Sequence, residues 1–261
     1  MSRIVEPELL DELPPDDPLA AGSRRDLCRV NAWMRHHAIM TGALRDHLNG
    51  QAPKQITELG AGDGNFLLHV ARRLSSFGVP SRGVRDGRSR QTSPSRVNAE
   101  LRTSGAWNDV NVTLLDRQHI VTPQTLASFT SLGWRAEAVT ADVFDWSQTG
   151  SPSEVVIANL FLHHFYNVSL AGLLHGIAAR TRLFIALEPR RAYLPQLCTR
   201  LLWAIGCNRV TRHDAAASVR AGFLDGELSA LWPHRQNWQL TEQFAGAFSH
   251  LFIAQKIQPV S

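Results

Sequence analysis

The chain has 261 residues and a mass of 29.0 kDa, with 44% hydrophobic and 19% charged residues, enough for one substantial α/β domain with a full core. A net charge of +4 is too small an excess to specify a nucleic-acid partner, and only Lys54 and Lys256 among the basic residues are lysines. Arg, His or Asn interrupts every apolar run before 18 residues, so no membrane span is expected.

The acidic start, Met1–Glu12, lacks the apolar core of a secretory signal. Cys28, Cys198 and Cys207 are odd in number and lack metal-ligand spacing, so they read as free thiols in a reducing, cytoplasmic setting. Residues 1–22 carry Pro7, Pro14, Pro15 and Pro18, and read as an arm laid on the surface or partly disordered. From Ser23 to about Leu48 the pattern turns helical, with Leu27, Val30, Trp33 and Met34 on one face. Ser23, three residues ahead of Asp26, resembles its N-terminal cap. Residues 1–53 are therefore expected to form an arm and cap helix ahead of a domain over 54–257.

The stretch Ile56-Thr57-Glu58-Leu59-Gly60-Ala61-Gly62-Asp63-Gly64-Asn65-Phe66 reads as a strand, a tight turn and a helix start. The dinucleotide fingerprint G-x-G-x-x-G would place its third glycine at position 65, which is Asn65. Glu58 beside the loop would repel a pyrophosphate and suits a cationic ligand.

A helix over 64–76 is followed by the segment 78–108, rich in Arg, Ser and Gly and without a sustained period. It reads as a flexible insertion, since Asp116 falls 52 residues after Gly64 and the usual interval is about 20. Strands are expected at 111–115, 135–140, 154–160 and 182–187, with helices at about 122–132 and 169–179. Their alternation implies a parallel sheet covered on both faces. Helical segments follow at about 195–206, 212–222 and 225–230, making 190–235 a helical lid region. Thr211 or Asp214 is placed as the cap of the second segment, and Gly222 as its left-handed end. Pro189 reads as a helix start or a turn, and Glu188 as structural. The runs 237–246 and 249–257 are alternating and predict an antiparallel hairpin.

The E-x-G-x-G-x-G loop and acids Asp116 and Asp142 at the next two strand ends resemble the class I S-adenosylmethionine (SAM)-dependent methyltransferases over about 54–257. The resemblance implies a Rossmann-like, doubly wound seven-stranded sheet in the order 3-2-1-4-5-7-6, with a C-terminal antiparallel hairpin and a helical cap. It implies SAM as the cofactor. Glu58 would meet the amino acid end, and Gly60, Gly62 and Gly64 would form the cradle. Asp116 would take the ribose hydroxyls, and Asp142 with Val143 the adenine. Asn159 would stand at the fourth strand end, close to the transferring methyl.

The sequence Asn159-Leu160-Phe161-Leu162-His163-His164 lacks the tetrad typical of nucleobase amino-methyltransferases and is closer to enzymes that methylate quinones, phenols and polyketide-derived aromatics. A small-molecule acceptor is therefore expected, with O-methylation of a phenolic compound first and C-methylation of a quinol-type ring second. A catalytically silent protein of the same fold is the third reading. Phenols ionise near about pH 10, so a base helps, and His163, His164 and His213 are the candidates. The histidine pair could equally cap or pack the next helix. Arg212 and His213 could orient an acceptor or belong to a structural ion-pair network, and Trp33 and His37 could close an aromatic pocket. No metal site is evident from spacing.

Overall fold

Apolar residues alternate between the two faces of the central strands, and both faces are buried. In β4 (Val155–Asn159), Val155 and Ile157 join one hydrophobic cluster, while Val156 and Ala158 join the other. In β5 (Leu183–Pro189), Leu183, Ile185 and Leu187 face the first cluster, and Phe184 and Ala186 face the second. This is the period-two pattern of a sheet covered by helices on both sides. The computed structural model describes residues 2–14, 16–76 and 107–257.

The sheet has seven strands. With β1 (Gln55–Leu59), β2 (Asn111–Asp116), β3 (Arg135–Thr140), β6 (Trp238–Ala245) and β7 (Ser249–Lys256), the order is β3-β2-β1-β4-β5-β7-β6. Strands β1 to β5 are parallel, and β7 is antiparallel to both β5 and β6. The expected order and hairpin are both present. The helices His36–His47, Asn65–Ser76 and Pro123–Thr130 pack against the first cluster, and Val143–Thr149, Asn167–Arg180 and Glu227–Leu231 against the second.

Several local expectations are corrected. The helix placed at 23–48 is two helices, Pro18–Trp33 and His36–His47, broken where Arg35 takes φ 60°. Ser23 is buried inside the first of these. Its cap is Asp17, which accepts from the Leu19 N–H at 2.7 Å, with Pro18 in the first turn where a missing N–H costs nothing. Asn208, not Thr211 or Asp214, caps Arg209–Ala221, and Gly222 is extended (φ −62°, ψ 179°), with its carbonyl accepting from Arg191. Pro189 ends β5 instead of starting a helix or a turn. The segment expected at 195–206 is the helix Tyr193–Thr199 followed by a 3₁₀ turn, Leu202–Ile205. The helix Val143–Thr149 had not been expected.

The arm is docked through named bonds. The Arg3 guanidinium donates to the carbonyls of Ala221, His163 and Phe165, and residues Leu9–Glu12 form a helical turn. The flexible stretch expected at 78–108 lies outside the described residues, except for Trp107 and Asn108. Among the described residues no helix is long and apolar enough to cross a membrane.

Candidate functional site

The loop after β1 needs glycine because its positions are closed to side chains. Gly60 has φ +64°, and a Cβ there would lie 2.2 Å from the Phe161 ring; at Gly64, φ +76°, one would meet Leu114 at 2.8 Å. Gly62 is different: nothing lies within 4 Å of its missing Cβ, and it lines the main cleft, so a ligand has room to approach its backbone.

That cleft has a volume of about 390 Å³. The tips of three strands converge on it. Asp116 is fixed at the end of β2 by the N–H groups of Gly62 and Gln118, both at 2.8 Å, one on each carboxylate oxygen. Each oxygen keeps acceptor capacity for a ligand. Asp142 lines the same cleft at the end of β3, where it caps the next helix by accepting from the Phe144 N–H at 2.7 Å. Val143 lies beside it. Glu58, near the end of β1, is 2% exposed and lines the cleft, and its Oε2 has no partner. Burial, with Asp63 and Asp116 nearby, raises its carboxyl well above the usual range. Burying a carboxyl oxygen without a partner is costly, and a cationic ligand group would offset that cost.

Asn159 also lines the cleft, but its amide is already engaged. Its oxygen accepts from His36 Nδ1 at 2.7 Å, and its nitrogen donates to Asn31 at 3.0 Å. His36 Nε2 lies 2.6 Å from the Ser249 hydroxyl. Burial holds the His36 imidazole down at about 4, so it is neutral, and its Nε2 accepts from the hydroxyl. His37 lines the cleft and stacks on Phe66 at 5.2 Å; burial and the nearby His69 lower it to about 4.

The far end of the cleft holds a cluster that spacing did not foretell. His163 is buried, with Nδ1 2.8 Å from Glu188 Oε2 and Nε2 3.2 Å from Glu8 Oε1. Between two carboxylates the imidazole is raised to about 9 despite its burial, which makes it a poor proton acceptor at neutral pH. Glu188 also accepts from the backbone N–H groups of Phe161, Leu162 and His163. His164 donates from Nδ1 to the Phe161 carbonyl at 2.8 Å, and its Nε2 lies 3.4 Å from Glu8 Oε2. Glu8 is further held by the Ser218 hydroxyl.

A smaller cavity of about 100 Å³ adjoins this end and shares Glu8, Leu10, Leu27, Leu160 and Ser218 with the cleft. Its other walls are mostly apolar and include Trp33, Met34, Leu202 and Phe248, with Thr211 and Asp214 among the polar exceptions. Trp33 is thus beside the site, against Phe248 with ring centroids 4.5 Å apart. Gly64 lines neither cavity and shapes the loop from behind. Arg212 and His213 also line neither. The helix Arg209–Ala221 turns Thr211, Asp214 and Ser218 inward at helical spacing, leaving 212 and 213 exposed. Sequence reasoning missed Glu8 and Ser218, whose partners lie far away in the chain.

No protein-family model matches the sequence, and no curated protein does. Solved structures do. The plantazolicin methyltransferase BpumL, in complex with a monoazolic desmethylPZN analog and S-adenosylhomocysteine (SAH), superposes with a TM-score of 0.59 and 11% identity, over 95% of this chain and 94% of that one. Magnesium protoporphyrin IX methyltransferase from Synechocystis PCC 6803 with bound SAM gives 0.52 and 12%, over 90% and 84%. An O-methyltransferase family protein from Burkholderia thailandensis gives 0.53 and 14%, over 93% and 62%. By its strand order and by these likenesses, the chain has the fold of the class I SAM-dependent methyltransferases.

Proposed function

We propose that this protein transfers a methyl group from SAM to a small-molecule acceptor. The observation that carries this reading is the buried carboxyl of Glu58, whose Oε2 has no partner, in one cleft with Gly60, Gly62, Asp116 and Asp142. These residues fit a ligand with a cationic amino acid end, ribose hydroxyls and an adenine. When bound, SAM supplies an already activated methyl, so the protein's part is to align the acceptor and exclude water. The apolar cavity beside Trp33 and Met34 suits the body of an aromatic acceptor. Glu8, shared by both cavities, puts a polar end between them, beside His163 and His164, where the oxygen of an acceptor would be held. O-methylation of a phenolic or polyketide-like compound is therefore favoured, with C-methylation of a quinol-type ring as the second reading, since it too passes through an ionised oxygen.

Calorimetric titration with SAH and with NADH tests the cofactor, and transfer of a labelled methyl to a panel of phenols and quinols tests the reaction. Binding of SAH and labelling of at least one phenol are expected. NADH binding without SAH binding would overturn the reading, and SAH binding with no transfer across the panel would favour a silent member of the fold.

A further inference from the structure

Each histidine at the polar end has one ring nitrogen already committed. His163 Nδ1 faces the Glu188 carboxylate at 2.8 Å, and His164 Nδ1 faces the Phe161 carbonyl at 2.8 Å; both oxygens only accept, so both Nδ1 atoms carry hydrogen. Both Nε2 atoms then face Glu8, one toward each carboxylate oxygen, at 3.2 and 3.4 Å, with the two rings side by side at 4.2 Å between centroids. A divalent ion bound there would replace the proton shared between His163 Nε2 and Glu8.

The two Nε2–oxygen distances match the spacing of neighbouring ligands at an ion. A tetrahedral centre with bonds of about 2.0–2.1 Å spaces neighbouring ligands about 3.3–3.4 Å apart. The donor atoms of Glu8, His163 and His164 all lie within 4.8 Å of one another. A carboxylate or a backbone carbonyl holding the second ring nitrogen is the arrangement that orients metal-bound imidazoles. Asp11 Oδ2 lies 3.9 Å from His164 Nε2 and is within reach as a further ligand.

We infer that Glu8, His163 and His164 form a binding site for a first-row divalent transition metal at the junction of the two cavities. Two imidazoles and one carboxylate suit zinc, iron or cobalt better than magnesium or calcium, which prefer oxygen. Three protein ligands leave a position for water or for an anionic oxygen of the acceptor, such as a phenolate or an enolate. That last role rests on the methyl-transfer reading; the binding of metal does not.

The test uses the full chain, stripped with a chelator and titrated with Co²⁺, then Zn²⁺. One equivalent of Co²⁺ is expected, with a visible d–d band abolished by Zn²⁺. X-ray absorption of the zinc form should show two imidazoles at about 2.0–2.1 Å. His164→Asn and Glu8→Gln should bind at least about 100-fold more weakly, exceeding the loss from disturbing an orienting partner. Absence of stoichiometric binding to the wild-type chain, or bound zinc without imidazole scattering, overturns the inference whether or not the variants fold. SAH titrated in parallel separates the two readings. SAH binding without metal sinks the metal site alone. Metal binding without SAH supports the site and sinks the cofactor assignment.

Discussion

Glu58 illustrates how a single side chain can weaken the empty fold and serve the liganded one. Its Oε2 is buried with no partner, and two further acids lie near it. Replacing it with Gln removes an ionisable group from a site where ionisation is opposed. Glu58→Gln is therefore expected to melt no lower than the wild type without ligand. The same change should weaken SAH binding by about 1.5–3 kcal/mol, as for a hydrogen bond to a charged group. Differential scanning calorimetry and isothermal titration check the two halves separately. Unchanged SAH affinity would remove Glu58 from the proposed site. This residue was legible because the acid and the alternating glycines share one short stretch. His163 was legible as a candidate but not in its charge state, which Glu188 sets from 25 positions away and Glu8 from 155.

At the scale of elements, the arm and the helix Arg209–Ala221 build one wall together. The Asp214 carboxylate accepts from the N–H groups of Leu9 and Leu10 at 2.8 and 2.9 Å, capping the helical turn that follows Glu8. Asp214→Ala should cost about 0.5–2 kcal/mol, felt locally. Hydrogen exchange at Leu9 and Leu10 should quicken severalfold while the amides of β4 and β5 stay protected. Equal protection in wild type and variant would show that Asp214 does not hold the arm. The central strands and the hairpin could be read in advance because their apolar period is local. The ends of the lid helices could not. Asn208 outcompetes Thr211 and Asp214 as the cap because Thr211 bonds Asp26, while Asp214 is drawn to the arm. The break at Arg35 left no signal, since Arg is not a residue that favours φ 60°.

Across the whole molecule, His36 ties the N-terminal helices to β4 and β7 through Asn159 and Ser249. Its imidazole is held neutral down to about 4, against 6.5 when unperturbed. Below 6.5 the unfolded chain binds a proton there that the folded chain refuses, so stability falls as pH falls, and the loss is complete below about 4. At 1.36 kcal/mol per pH unit the interval amounts to roughly 3 kcal/mol. Urea unfolding at pH 6.5 and pH 5 should show that slope in the wild type and a shallower one in His36→Asn. Parallel slopes would show that this histidine is not the group responsible.

The wall formed by Glu8 also sets an order of events during synthesis. Glu8 leaves the ribosome long before His163, His164 and Ser218. A nascent chain must therefore keep its leading segment in solvent until most of the sheet and the inner face of Arg209–Ala221 have emerged, and the polar end of the cleft closes as one of the last acts of folding.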